Sequence, residues 1–322
     1  MASHPSSNLA AGFLGRRCLV TGGAGFIGSN LTRALLGGGA QVTVVDNLST
    51  GLRENLPDHA NLALVEADLT TWPGLAGRSA SSDYVFHLAA QVGNVKSITL
   101  TEEDAATNVL GSVRLLKSCC GTGVKRVVYS SSSAIFGEAE RIPIDEDHPQ
   151  SPASFYALSK MTGEKYALLA ASLWDVPTVC LRYFNVYGLP MQDNEYTGVI
   201  SIFSNRLAAD EPLVIYGDGE QFRDFVSVRD VVQANLRAAL FGRPGRTYNV
   251  GSGEPTSIRQ LACVMSEIAG RPTRIVHRDF RAGEVRRSLA EIARASAELG
   301  YAPEVVLRQG LTALMEPVPG QC

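Results

Sequence analysis

Cys18-Leu19-Val20-Thr21-Gly22-Gly23-Ala24-Gly25-Phe26-Ile27-Gly28-Ser29-Asn30-Leu31 is the stretch that decides the fold of this 322-residue chain. Cys18 to Thr21 reads as a short buried strand. Gly22, Gly25 and Gly28 follow at intervals of three. Apolar residues at helical spacing then run from Phe26 to Leu36, where Gly37, Gly38 and Gly39 stop the helix. Glycines between a strand and a helix let the backbone approach a pyrophosphate. The helix start adds amide donors and a positive dipole end. An ordinary glycine-rich turn lacks this context, so the stretch reads as a dinucleotide site.

Gln41 to Asp46 is the next strand, and Asp46 lies 18 residues beyond Gly28. A carboxylate there accepts ribose hydroxyls and repels a 2′-phosphate, which favours NAD over NADP. A turn or cap role before Asn47 to Gly51 is compatible with that reading. Asn61 to Ala67 is a third strand, closed by Asp68, which either meets an adenine amino group or caps the segment after it. Asp83 to Leu88, Val127 to Ser130 and Thr178 to Tyr183 are further strands, and Thr101 to Cys120 and Ser154 to Leu173 are helices. This alternation, with near-continuously apolar strands, predicts an α/β fold with a parallel, doubly wound Rossmann sheet. After Asn185 the pattern breaks at Gly188, Pro190, Gly198, Pro212, Gly217 and Gly219, as in a smaller, mixed second lobe. Asp224 to Val228 reads as a return strand and Asp230 to Leu240 as a helix. The expected organisation is a disordered leader over 1–14, a dinucleotide-binding domain over 15–184 with 224–250 returning to it, and a substrate lobe built from 185–223 and 251–322.

The formal net charge of −3 gives no basic field for nucleic acid and no polybasic membrane patch. No apolar run is long enough to span a bilayer. The six cysteines form no Cys-x-x-Cys pair, and Cys18 and Cys180 sit in strand-like runs as buried thiols, which suits a reducing cytoplasm. The five histidines lack metal spacing; His87 reads as a strand-end packing or hydrogen-bonding residue.

Tyr156 and Lys160, four residues apart, share one helical face downstream of the serine run Ser130 to Ser133. An ammonium beside a phenol favours the phenolate, a base usable near neutral pH. With the dinucleotide, this describes a site that moves a proton and a hydride at one carbinol carbon.

TGGAGFIG (21–28), HLAA (87–90), the serine run, Tyr156-x-x-x-Lys160, LRYFNVYG (181–188) and GDGEQ-x-RDF (217–225) stand in that order. The chain thereby resembles the extended short-chain dehydrogenase/reductase family, and within it the UDP-glucose 4-epimerases. The resemblance covers nearly everything after Gly15. It implies that Gly22, Gly25, Phe26, Ile27 and Gly28 hold the NAD pyrophosphate. It puts Asp46, Asn47, Ser49, Thr50 and Gly51 around the adenosine ribose, and Asp68 and Leu69 at the adenine. Leu88, Ala89 and Ala90 line the cofactor, and Asn108 supports it. Lys160 binds the nicotinamide ribose and polarises Tyr156. Ser132 is the family's serine, counted back from Phe136-Gly137, and Ser133 is a neighbour able to share its task.

For the nucleotide sugar, the resemblance implies diphosphate or sugar contacts from Asn185 and Arg223, and uracil contacts from Val199 and Tyr216. Arg281 would meet phosphate and Glu284 the uridine ribose. Ser288 falls where a bulky residue excludes N-acetyl groups, so UDP-GlcNAc and UDP-GalNAc are expected beside UDP-glucose and UDP-galactose; Ser288 is also readable as a helix cap before Leu289 to Ala297. The helices Thr101 to Cys120 and Ser154 to Leu173 imply a homodimer. Where the family's dehydratases carry Thr-Asp-Glu, this chain has Ser132-Ser133-Ala134, so the acid pair for dehydration is missing. The glutamate that the decarboxylases keep in that stretch is absent too. Two alternatives stay open: a UDP-uronate epimerase, with Lys96 meeting a C6 carboxylate or standing as a solvated loop lysine, and a non-catalytic NAD-binding sensor.

Overall fold

The computed structural model describes residues 9–190, 198–280 and 285–316. The first strand, β1 (Arg17–Thr21), is followed by the glycine loop and helix α1 (Phe26–Gly37). Then come β2 (Gln41–Asp46), β3 (Leu62–Glu66), α2 (Leu75–Ala80) and β4 (Tyr84–His87). Helix α3 spans 101–119, with a π-helical stretch at Ala106–Gly111 between its α-helical ends. Next are β5 (Arg126–Ser132), α4 (Phe155–Leu173), β6 (Thr178–Tyr183) and β7 (Asn185–Tyr187). The chain continues through α5 (Val199–Ala208), β8 (Leu213–Tyr216), β9 (Phe222–Ser227), α6 (Val228–Phe241) and β10 (Arg246–Val250). It ends in β11 (Pro255–Ser257), α7 (Ile258–Ile268), β12 (Ile275–Arg278), α8 (Ala293–Leu299) and α9 (Leu307–Met315).

Seven strands form one parallel sheet in the order β10-β6-β5-β4-β1-β2-β3. The order reverses between β1 and β4, and ligands bind doubly wound sheets at the carboxyl ends beside such a reversal. β4 and β6 are buried along their whole length, because helices cover both faces. α1 and α6 pack on one face around Leu31, Leu35, Val231 and Leu236. α3 and α4 pack on the other around Leu115, Leu116, Tyr129 and Ala167.

A third core, with Ile200, Phe203, Ile215, Leu261 and Met265, belongs to the elements after β6. Here the structure departs from the sequence reading. β9, read as a strand returning to the large sheet, pairs instead with β7 and β11 in a three-stranded sheet; the chain rejoins the large sheet through β10. β11 and β12 escaped notice because three- and four-residue strands leave no period to read.

The leader also needs correction. Residues 9–13 are helical, and Phe13 is fully buried against Tyr84 and Phe86 of β4. Its one aromatic ring outweighs the small polar residues before it. Cys18, Cys119 and Cys180 are buried free thiols, and Cys120 and Cys263 are free and partly exposed. No helix among the described residues is long and apolar enough to cross a membrane, and no group of side chains there is arranged to hold a metal ion.

Candidate active site

The glycine loop is built by close approach. Gly22 takes φ +69°, and a Cβ on it would stand 2.5 Å from the Ala89 amide nitrogen. A Cβ on Gly28 would stand 2.1 Å from the Gly22 carbonyl oxygen. No side chain caps the N-terminus of α1, so its first amides face the cleft without an internal acceptor. That is the donor set a pyrophosphate requires.

Asp46, at the end of β2, accepts from the Ala24 amide (2.9 Å) and the Leu48 amide (2.9 Å), tying the loop after β2 to the glycine loop. The turn role and a place at the cleft therefore coexist. Asp68 accepts from the Thr70 amide (2.7 Å) and hydroxyl (2.5 Å) and from the Asn47 amide group (3.1 Å). The Thr70 hydroxyl holds its carboxyl below the usual range, with the Thr70 amide, Asn47 and Arg114 assisting against desolvation. Its capping role is present, and it faces the cleft as well.

Every residue expected at the cofactor except Asn108 lines one cleft of about 500 Å³. Asn108 stands behind the wall. Its side chain clamps Gln91, donating to the carbonyl (3.0 Å) and accepting from the amide (2.8 Å). Of the residues expected at the nucleotide sugar, Ser132, Asn185 and Val199 line the cleft. Ser133, Tyr216, Arg223 and Ser288 do not. Tyr216 lies on β8, paired with β12. Arg223 lies on β9 opposite Thr256, its guanidinium donating to the Phe222 carbonyl (2.9 Å). Ser288 is buried, its amide donating to the Phe222 carbonyl (3.3 Å). It caps no helix, since α8 begins only at Ala293. Arg281 and Glu284 lie outside the described residues. Residues not anticipated from the sequence also line the cleft, among them Gln91, Thr107, Tyr183 and Ile200; nothing in their local pattern distinguishes them.

The serine run resolves by partner. Ser130 bonds the Tyr183 hydroxyl (3.0 Å), which in turn donates to Asn235 (2.9 Å). Ser131 donates to Glu164 (2.6 Å). Ser132 takes the Ala134 amide as donor (3.1 Å), and it is the serine of the run whose hydroxyl favours the Tyr156 phenolate. Ser130 and Ser131 are therefore engaged in holding elements together, and Ser132 is the one that meets the tyrosine.

Tyr156 and Lys160 share a face of α4 and line the same cleft. Enclosure pushes the phenol above its ordinary value; the Ser132 hydrogen bond opposes this, and the Asp104 charge adds to it. Lys160 lies one turn further along the same helix. Its ammonium, 4.9 Å from the Tyr129 ring centroid, is turned inward. Burial lowers it to about 8, opposed by the carboxylates of Asp104 and Glu164. His87 is sealed between the Thr21 hydroxyl (2.7 Å) and the Ser112 hydroxyl (2.9 Å), with burial lowering it to about 3, a neutral strand-end hydrogen-bonding residue as read.

The NAD dependent epimerase/dehydratase family matches residues 18–251. A UDP-glucose 4-epimerase of Mycolicibacterium smegmatis is 38% identical over 309 residues, covering 93% of this chain and 97% of the relative. The solved UDP-N-acetylglucosamine 4-epimerase of Methanobrevibacter ruminantium, in complex with UDP-N-acetylmuramic acid, superposes with TM-score 0.90 at 33% identity, covering 94% of this chain and 98% of that one. The UDP-glucose 4-epimerase of Thermus thermophilus, solved with NAD, gives TM-score 0.85 at 34% identity, covering 93% and 98%.

The loop geometry makes a direct demand on Gly28. Gly28→Ala is expected to raise the dissociation constant for NAD at least about tenfold, ~1.4 kcal/mol, with far-UV circular dichroism unchanged. Calorimetric titration checks it, and parent-like affinity contradicts the cradle.

Proposed function

The chain belongs to the NAD dependent epimerase/dehydratase family and is an NAD-using enzyme, and from that premise we propose that it inverts C4 of a UDP-hexose. One observation carries the choice of reaction. Tyr156 faces the cleft beside a serine, and the only carboxylates among the described cleft residues are Asp46 and Asp68, at the ends of β2 and β3. Removing a C6 hydroxyl needs an acid and a base beside the sugar, and the serine run supplies neither. Epimerisation needs a single proton acceptor that can return what it takes.

When bound, NAD supplies the hydride acceptor and donor for C4 and, oxidised, a positive ring that favours the Tyr156 phenolate. Tyr156 takes the C4 hydroxyl proton and later gives it back. Ser132 has a lone pair occupied by the Ala134 amide, which leaves its hydrogen to donate to the same oxygen and steady the developing carbonyl. Lys160, charged below about pH 8, holds the ribose side of the cleft. Asn185, Val199 and Arg223, with Arg281 and Glu284, are the proposed nucleotide-sugar contacts. A panel of UDP-sugars with product ratios read by NMR tests the reading. Tyr156→Phe is expected to fold, bind NAD and lose about three orders of magnitude or more in kcat. Near-normal turnover in that variant removes Tyr156 from the role.

A uronate reading keeps one observation in its favour: Lys96 lines the cleft and has no ion pair among the described residues. UDP-glucuronic acid belongs in the panel for that reason, and exclusive turnover of it replaces the hexose reading.

Acceptance of N-acetylated sugars is supported by the Methanobrevibacter ruminantium relative, with Ser288 as the proposed gate although it stands off the described cleft wall. Ser288→Tyr is expected to lower kcat/KM for the UDP-GlcNAc/UDP-GalNAc pair by about tenfold more than for the plain hexoses, ~1.4 kcal/mol of discrimination. Equal losses on both pairs defeat the gate.

The homodimer reading is supported by an apolar stripe on α4. Phe155, Leu158, Tyr166, Leu169 and Leu173 are exposed on one helical face, with Leu110 of α3 exposed beside it. Sedimentation at micromolar concentration should give twice the chain mass of 34.4 kDa, and a monomer there contradicts the assignment.

A further inference from the structure

We propose that the Tyr129 ring is the floor on which the Lys160 ammonium stands, which makes Tyr129 a positioning residue for the lysine that serves the cofactor. Tyr129 lies on β5 and is 0% exposed. The Lys160 ammonium stands 4.9 Å from its ring centroid, within the range where an aromatic face holds a cation. The Tyr129 hydroxyl reaches the other end of the same residue, donating to the Lys160 carbonyl (3.5 Å). One side chain thus meets both the backbone and the charged tip of Lys160. Two neighbours fix the ring itself. The His87 ring stands 5.6 Å away, centroid to centroid. Gly163, three residues beyond Lys160, leaves the notch into which the hydroxyl fits. A Cβ there would stand 2.1 Å from the hydroxyl oxygen and 3.0 Å from the Asn108 carbonyl oxygen.

A buried tyrosine between a helix and a strand is most simply filler. The charge set over this one marks it out. Lys160 is 4% exposed and makes no ion pair among the described residues. Enclosing an ammonium in this way is costly, and an aromatic face is an apolar surface that still attracts it. The ring stays neutral, because burial pushes the Tyr129 phenol well up. The other titratable groups around Lys160 are Tyr156 and Glu164 on its own helix, Cys180 on β6, His87 on β4 and Asp104 on α3. Burial keeps the Cys180 thiol protonated, His87 is neutral between two hydroxyls, and Glu164 is bonded to Arg182. All of them stay when position 129 is changed, so a response of the ammonium reads the ring.

The ε-carbon resonance of Lys160, followed by NMR in ¹³C-lysine-labelled protein and assigned with Lys160→Arg, reports its titration without turnover. Lys160 sits at about 8. Weakening the negative ring face disfavours the ammonium, so its charge is lost at lower pH. Tyr129→Phe keeps the face and is expected to keep the parent midpoint. Pentafluorophenylalanine, placed at position 129 by nonsense suppression, keeps a ring of similar volume but reverses the charge of its face. It is expected to lower the midpoint by about half a pH unit or more. Tyr129→Leu removes the ring, and the upfield displacement that a ring face gives the Lys160 ε-methylene protons is expected to vanish with it. A midpoint in the fluorinated protein equal to or above that of Tyr129→Phe overturns the proposal, and so do unchanged ε-methylene shifts in Tyr129→Leu. Filler gives those results. Where Tyr129→Leu does not fold, the fluorinated ring preserves the packing and its midpoint decides. The consequence for the cofactor rests on the proposed contact between Lys160 and the nicotinamide ribose, which calorimetric titration with NAD tests separately. At about pH 8 the fluorinated protein is expected to bind NAD about twofold more weakly than Tyr129→Phe, or worse. A lowered midpoint with unchanged NAD affinity upholds the floor and removes Lys160 from the ribose, so the two failures are told apart.

Discussion

A guanidinium and a carboxylate sealed from solvent fasten the catalytic helix to the sheet. Arg182 on β6 is 3% exposed and Glu164 on α4 is 0% exposed, and they meet through both carboxylate oxygens. Ser131 on β5 donates to the same carboxylate, and Arg182 donates to the Glu146 carbonyl (2.7 Å). Two strands, a helix and a loop thus converge on one ion pair. Losing either partner strands the other charge in the interior, at about 3–5 kcal/mol by comparison with other buried pairs. Glu164 lies one turn beyond Lys160, so the pair fixes where the catalytic face of α4 points.

Charge placement divides the site into two ends. At the adenosine end, Asp46 and Asp68 are held by backbone amides and short polar side chains, which suits them to hydroxyl and amine donors. At the sugar end, proton exchange falls to a phenol, with a hydroxyl set beside it by the Ala134 amide. An enclosed phenol above its ordinary value is a reluctant base alone. It gains basicity only as positive charge gathers around it, which links proton removal to an oxidised cofactor.

The fold was legible wherever a long period stood in the chain. β2 and β6 match their expected limits, and α4 begins one residue inside its expected start because Ser154 is its cap. The cofactor half of the site was legible for a related reason: its contacts fall within a few residues of strand ends and the glycine loop, where local pattern and spatial position coincide. The sugar half was less so. Tyr216 and Arg223 lie on short strands whose pairing is set at long range, and their distance from the cleft wall has no local signature. Asp104 was hidden in a run of acids, Glu102-Glu103-Asp104, that reads as a solvated helix start. Only packing against Ser159 and Asn108 separates it from its exposed neighbours. The rise of the Tyr156 phenol was not legible, because four-residue spacing fixes a face but not how deeply that face is enclosed.

The π-helical stretch at Ala106–Gly111 sets the angular phase between the two ends of α3. Its first half presents Asp104 toward α4, and its second presents Leu115 and Leu116 to the core. Such a stretch carries one residue more than a regular helix of equal rise, and one residue is about 100° of rotation. Deleting a single residue there would mend the helix and leave both faces where they are, whereas a deletion in the regular turns beside it would swing Asp104 by about 100°. Chain length is thus forgiving at one point of α3 and unforgiving a turn to either side of it.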